Sequence, residues 1–234
     1  MLIQPVKTEF GLSDLQIGLV TGLGFALTFG ALGVPLGRLA DRRERRRLIA
    51  WCRGLGGALA VLLLGYGLRP GLAQDAQLPM FWVKLLIPVC VAGAGGVLAA
   101  RLGRPGVAAR GAWWGVVVPV VAIWLLAAVQ WVGAAPADRP ALLWGQTWRT
   151  CIGSIGLIAL PVFVAALAAL RDLAPTHAAW AGAAAGALAG GCGAAVYALH
   201  CPELTAPFLA VWYVAGMALP VALGAVIGPR VLRW

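Results

Sequence analysis

Gly37-Arg38-Leu39-Ala40-Asp41-Arg42-Arg43-Glu44-Arg45-Arg46-Arg47 sets a block of mostly charged residues between two long apolar runs, and its reading decides the fold. Such a block cannot sit in hydrocarbon, where each charge at the bilayer centre costs at least ~2.5 kcal/mol. The runs on either side are therefore read as membrane-crossing segments, and the arginines as the loop joining them. The rest of the chain agrees, with 62% hydrophobic and 11% charged residues and a mean hydropathy of +0.89, far from a soluble domain.

Seven apolar runs fall near residues 16–37, 48–68, 80–100, 112–133, 151–170, 178–199 and 208–228. Each is close to the ~20 residues that cross ~30 Å of hydrocarbon as a helix. They are continuously apolar, not alternating, which favours helices that satisfy their own backbone groups over barrel strands. The expected fold is all-α, a polytopic transmembrane bundle of about seven spans. No cleavable leader is expected, because Lys7, Glu9 and Asp14 precede the first run and the arginines follow it.

Orientation follows from the basic residues in alternate loops. Arg38, Arg42, Arg43, Arg45, Arg46, Arg47, Arg101, Arg104, Arg110, Arg171, Arg230 and Arg233 fall on one side, twelve in all. Lys7, Arg69, Lys84, Arg139 and Arg149, five in all, fall on the other. The positive-inside rule makes the first side cytoplasmic, with the N-terminus outside and the C-terminus inside. The net charge of +10 is thus mostly topogenic, and the basic clusters also attract anionic membrane lipids. Nucleic acid is not an expected partner, since the run Arg42–Arg47 is tethered between spans and no aromatic residues interleave with it.

Within the spans, Arg53, Lys84 and Arg149 lie within a turn or two of an end, where each is expected to snorkel to the interface. No intramembrane charge marks a transport pathway, and the two histidines fall on opposite sides, so no nucleophile-base pair can be assembled. Neither enzyme activity nor a cofactor is expected. Gly182, Gly186 and Gly190 recur every four residues, giving one smooth helical face for a close neighbour. Trp131, Trp144, Trp148, Trp212 and Tyr213 read as anchors at the outer interface. Cys52, Cys90 and Cys192 fall inside spans and read as packing residues.

Cys151 and Cys201 differ, because both are expected at the outer face: Cys151 opens the fifth span after the loop 134–147, and Cys201 lies between the sixth and seventh. Outside a bacterial inner membrane, two such thiols form a disulfide if their Cα atoms approach within ~7 Å. Reduced, they could bind a soft metal ion, with His200 and Glu203 as further ligands. The plain alternative is that they are small apolar residues at helix ends, with His200 at headgroup level.

Two resemblances add to this reading. Gly37, Leu39, Ala40, Asp41, Arg42, Arg45 and Arg46 match the loop after the second span of the major facilitator superfamily, so residues 1–47 resemble one facilitator span with its cytoplasmic loop. From about residue 48, the chain resembles the six-span NrsF-type negative regulators of an extracytoplasmic-function sigma factor. The residues that carry it are Tyr66-Gly67-Leu68-Arg69-Pro70, Phe81-Trp82-Val83-Lys84-Leu85, Trp148-Arg149-Thr150-Cys151, Leu160-Pro161, Tyr197-Ala198-Leu199-His200-Cys201-Pro202-Glu203, Trp212-Tyr213 and Gly228-Pro229-Arg230.

This second resemblance implies an inner-membrane anti-sigma factor over residues 48–234, with a sigma factor as partner and Cys151 and Cys201 engaged in the response to oxidants or heavy metals. The rival reading is a transport-related membrane protein, or a scaffold fused from the two pieces.

Overall fold

The computed structural model describes residues 45–104, 107, 109, 111–173 and 175–233. The chain divides into two compact units, Met1–Leu48 and Ile49–Trp234, and the second holds nearly all of the described residues. The apolar run 16–37 and the loop residues Gly37, Asp41 and Arg42 lie outside them; Arg45 and Arg46 open the first described helix.

That helix, α1 (Arg45–Val61), runs into a π-helical turn, Leu62–Tyr66, and stops where Gly67 takes a φ of +74°. A short α2 (Leu72–Asp75) leads to α3 (Pro79–Leu102), whose first residue is a proline, placed where a missing N–H costs nothing. Then follow α4 (Trp114–Gly133), α5 (Arg139–Trp144), α6 (Trp148–Arg171) and α7 (Ala178–Tyr197). The last run is α8 (Ala206–Phe208), a π-helical turn over Leu209–Tyr213, and α9 (Val214–Val231).

Five of these stretches are long and apolar enough to cross a bilayer: Pro79–Leu102, Trp114–Gly133, Arg139–Arg171, Ala178–Tyr197 and Ala206–Val231. The protein is an all-α, multi-pass membrane bundle. Of the seven expected runs, 16–37 lies outside the described residues, and 48–68 forms a shorter apolar helix, Cys52–Tyr66, that Gly67 ends close to the expected position. The segment 134–147, expected as a plain loop, contains α5.

The bundle is organised around α7. Of the most apolar stretch of that helix 78% is buried, against 11% for α4, so α7 is central and α4 peripheral. It packs on α9, α3 and α6, and small residues make each approach possible. A Cβ on Gly182 would meet the carbonyl of Gly224, one on Gly186 the carbonyl of Pro220, and one on Gly190 the carbonyl of Met217 at 2.6 Å. This is the smooth face expected from the four-residue spacing, and α9 is its neighbour. A second face of α7 meets α3, where a Cβ on Gly191 would lie 2.6 Å from the Pro88 carbonyl. Between membrane helices association rests on such packing, because lipid is as apolar as the helices themselves.

The π-helical turn at Leu209–Tyr213 frees backbone groups that need partners. Trp124 Nε1 donates to the Ala210 carbonyl at 3.0 Å, tying α4 to this turn.

Candidate functional site

At the Tyr197 end of α7, the chain turns through residues 198–205 before entering α8. The N–H groups of His200 and Cys201 both donate to the Tyr197 carbonyl, at 2.9 and 3.0 Å. Pro202, which has no N–H to give, ends the turn. The loop is then gripped by surrounding elements. Glu203 Oε1 accepts the Gln146 N–H at 2.6 Å, Thr205 Oγ1 donates to the Leu142 carbonyl at 2.9 Å, and the Ala206 N–H donates to Gln130 Oε1 at 2.9 Å. Gly145, with a φ of +52°, lies against the Glu203 carboxylate so closely that a Cβ there would sit 2.6 Å from its carbon.

The strongest grip is cationic. Lys84 Nζ, on the second turn of α3, donates to the carbonyls of Cys201 at 2.6 Å and Glu203 at 2.8 Å. Arg69 Nη1 donates to the same Cys201 carbonyl at 2.8 Å, while its Nη2 pairs with Asp75 Oδ2 at 2.7 Å. Lys84 is 1% exposed. It does not snorkel as expected: its ammonium turns inward, lies 5.2 Å from the Tyr213 ring, and takes two backbone carbonyls in place of water. A buried charge is tolerable only with such partners.

Cys151 and Cys201 both belong to the buried core of the bundle. Both are free thiols and both are 0% exposed. Thr147 links them, its Oγ1 lying 3.7 Å from Cys201 Sγ and its carbonyl accepting the Cys151 N–H at 3.0 Å.

The other expected ligands point elsewhere. His200 Nδ1 lies 3.1 Å from the Gly67 carbonyl, and its ring packs against Tyr66 and Tyr197. The Glu203 carboxylate faces Gly145 and Gln146. Among the described residues no group of three His, Cys, Asp or Glu side chains is gathered to hold a metal ion. The His200 imidazole is engaged in holding the loop to Gly67 and the two tyrosine rings.

Of the aromatic residues expected as anchors, Trp144, Trp148 and Trp212 form one cluster with ring centroids 4.8–5.5 Å apart, fastened by the bond of Trp212 Nε1 to the Leu143 carbonyl at 2.9 Å. Tyr213 departs from the expectation, being buried in the bundle against Lys84. Cys52 and Cys90 are exposed on the outside of the bundle, and Cys192 is half-buried in α7. Asp75 is a residue that sequence reasoning passed over, while Arg69 and Lys84 were read only as charges of the outer side and not as holders of this loop. A lysine one turn and a half inside an apolar helix was the available signal.

Comparison with known proteins bears on this geometry. The family profile described as "Negative regulator of sigma F" matches residues 35–234. The probable anti-sigma-F factor NrsF of Azospira oryzae is 41% identical over 186 residues, covering 80% of this chain and 86% of the relative. The anti-sigma-F factor NrsF of Caulobacter vibrioides is 39% identical over 209 residues, 87% of this chain and 96% of the relative. An MFS-type efflux pump of Mycolicibacterium smegmatis is 34% identical over 62 residues, which is 26% of this chain and 14% of the pump. No solved structure matches the chain.

Proposed function

Because the chain belongs to the NrsF family of negative regulators of sigma F, we propose that it holds an extracytoplasmic-function sigma factor at the inner membrane and releases it when Cys151 and Cys201 react with an oxidant or a heavy metal. The observation that supports this reading is the burial of two free thiols from different elements, α6 and the 198–205 loop, in one cluster where each contacts Thr147. Arg230, in the last turn of α9, and Arg233, just after it, lie at the end of the bundle where Gly228 approaches Ala178 at the start of α7.

By the positive-inside rule the arginine end is cytoplasmic and the thiol end outside, so the chemistry and the partner are separated by the length of the helices. Joining the two sulfurs would pull the loop toward α6 and displace α6 relative to α7 and α9. The loops 101–110 and 171–177 and the C-terminal arginines then carry the change to the sigma factor. A switch of this kind requires two discrete helix arrangements biased by the thiol state.

The division into a facilitator-like part, 1–47, and an NrsF-like part, 48–234, belongs to the same proposal. The 62-residue match to an efflux pump favours a second reading, a transport-derived span fused to the regulator.

Two experiments test the main reading. The full detergent-solubilised chain should retain its sigma factor in a pull-down, and absence of binding by a folded chain would remove the anti-sigma role. In a sigma-dependent reporter strain, Cys151→Ser or Cys201→Ser should bring the response to peroxide or cadmium down to the uninduced level. Full induction with serine at both positions would exclude the thiols as the sensor.

A further inference from the structure

We propose that Arg69 and Lys84 are positioning residues for Cys201, a two-cation latch that holds its peptide and keeps its thiol closed to reagents until the loop 198–205 opens. This rests on the thiol reading above and adds what governs access to the site.

A thiol with no exposed surface cannot meet a solute without local opening, so the rate at which it reacts measures how often its cover lifts. The cover is the 198–205 loop, and the Cys201 carbonyl is where two buried cations converge, Lys84 Nζ at 2.6 Å and Arg69 Nη1 at 2.8 Å. Lys84 spans two points of the loop through its second bond, to Glu203. Arg69 adds a third, its N–H donating to the Leu199 carbonyl at 3.3 Å. Both cations have a further partner, Arg69 in Asp75 and Lys84 in the Tyr213 ring.

Moving the Cys201 peptide would strip both cations of a shared acceptor inside a low-dielectric interior, which raises the cost of opening well above that of the neutral bonds at Thr205 and Ala206. The arrangement also ties the loop to α3, so that a change at Cys201 reaches α3 as well as α6.

The test is the alkylation of the purified full chain in detergent by N-ethylmaleimide, followed residue by residue by mass spectrometry. Cys201 should label slowly in the wild type. In Lys84→Met and in Arg69→Gln it should label at least about tenfold faster, as expected when a local closing contact is lost, while Cys192, in the last third of α7, keeps its wild-type rate. Lys84→Arg, which restores a donor cation, should return the rate to near wild type.

An unchanged Cys201 rate in Lys84→Met would overturn the latch. So would a parallel rise at Cys192, or a variant that no longer folds, because the cations would then be supporting the whole bundle. Labelling needs no sigma factor, so its outcome is independent of the reporter result that tests the thiol reading.

Discussion

Gly186→Leu is expected to yield no monodisperse protein on size-exclusion in detergent, and Gly186→Ala a protein of clearly lowered melting temperature. A Cβ at this position would meet the carbonyl of Pro220 and the backbone of Val221, neither of which can move without moving α9. Overpacking of a close contact ordinarily costs about 1–3 kcal/mol. Here a single methyl already meets backbone, and the added isobutyl group of leucine would force the two helices apart along a face that also includes Gly182 and Gly190. The control is Gly153→Ala in α6, where nothing lies within 4 Å of the added carbon and helix propensity alone predicts an effect of at most about 1 kcal/mol in the favourable direction. Equal behaviour of Gly186→Ala and Gly153→Ala would mean that α7 and α9 are not packed as described.

The second large effect is expected at Asp75. Its carboxylate is the counter-charge of Arg69, whose side chain is only 6% exposed, while Asp75 itself is 30% exposed. Removing one partner of a buried pair costs about 3–5 kcal/mol because the other charge is left uncompensated. Arg69 keeps the Cys201 carbonyl and lies 5.8 Å from the Phe81 ring, and Asp75 is partly wet, so the expected loss for Asp75→Ala is about 2 kcal/mol, below that range. The double variant Arg69→Met with Asp75→Ala should lose less than the sum of the two single changes. Thermal unfolding of the four proteins in one detergent measures the coupling, and strict additivity would mean that the pair contributes nothing as a pair.

The membrane-crossing helices were legible in the chain because hydrocarbon thickness imposes a length and a composition that no other context demands. The α7–α9 contact was legible too, since a glycine every fourth residue has one geometric consequence. What remained hidden was which way Lys84 turns. The helix around it is apolar on every side, so no polar face marks the direction of the bundle, and a lysine near a helix end can reach either water or an interior carbonyl. Tyr213 was misplaced for the same reason.

Cys151 and Cys201 stood out by position, but their joint burial follows from the turn at Tyr197, the break at Pro202 and the bonds from α4, α5 and Gln146. None of those has a signature in composition. His200 and Glu203 were singled out beside Cys201 for their chemistry, and the fold uses both as fasteners.

The tryptophan cluster has a spectroscopic consequence. Trp144, Trp148 and Trp212 hold their rings at fixed mutual tilts of 67°, 42° and 41°, and they join α5, α6 and the π-helical turn beside the thiol loop. Indole transitions held this close and at fixed angles couple with one another, so the trio is expected to contribute to the near-ultraviolet circular dichroism, beside the Trp113–Trp180 pair, a component that depends on the spacing of those three elements. The chain therefore carries its own optical gauge of the site, readable in detergent or in vesicles without attaching a dye.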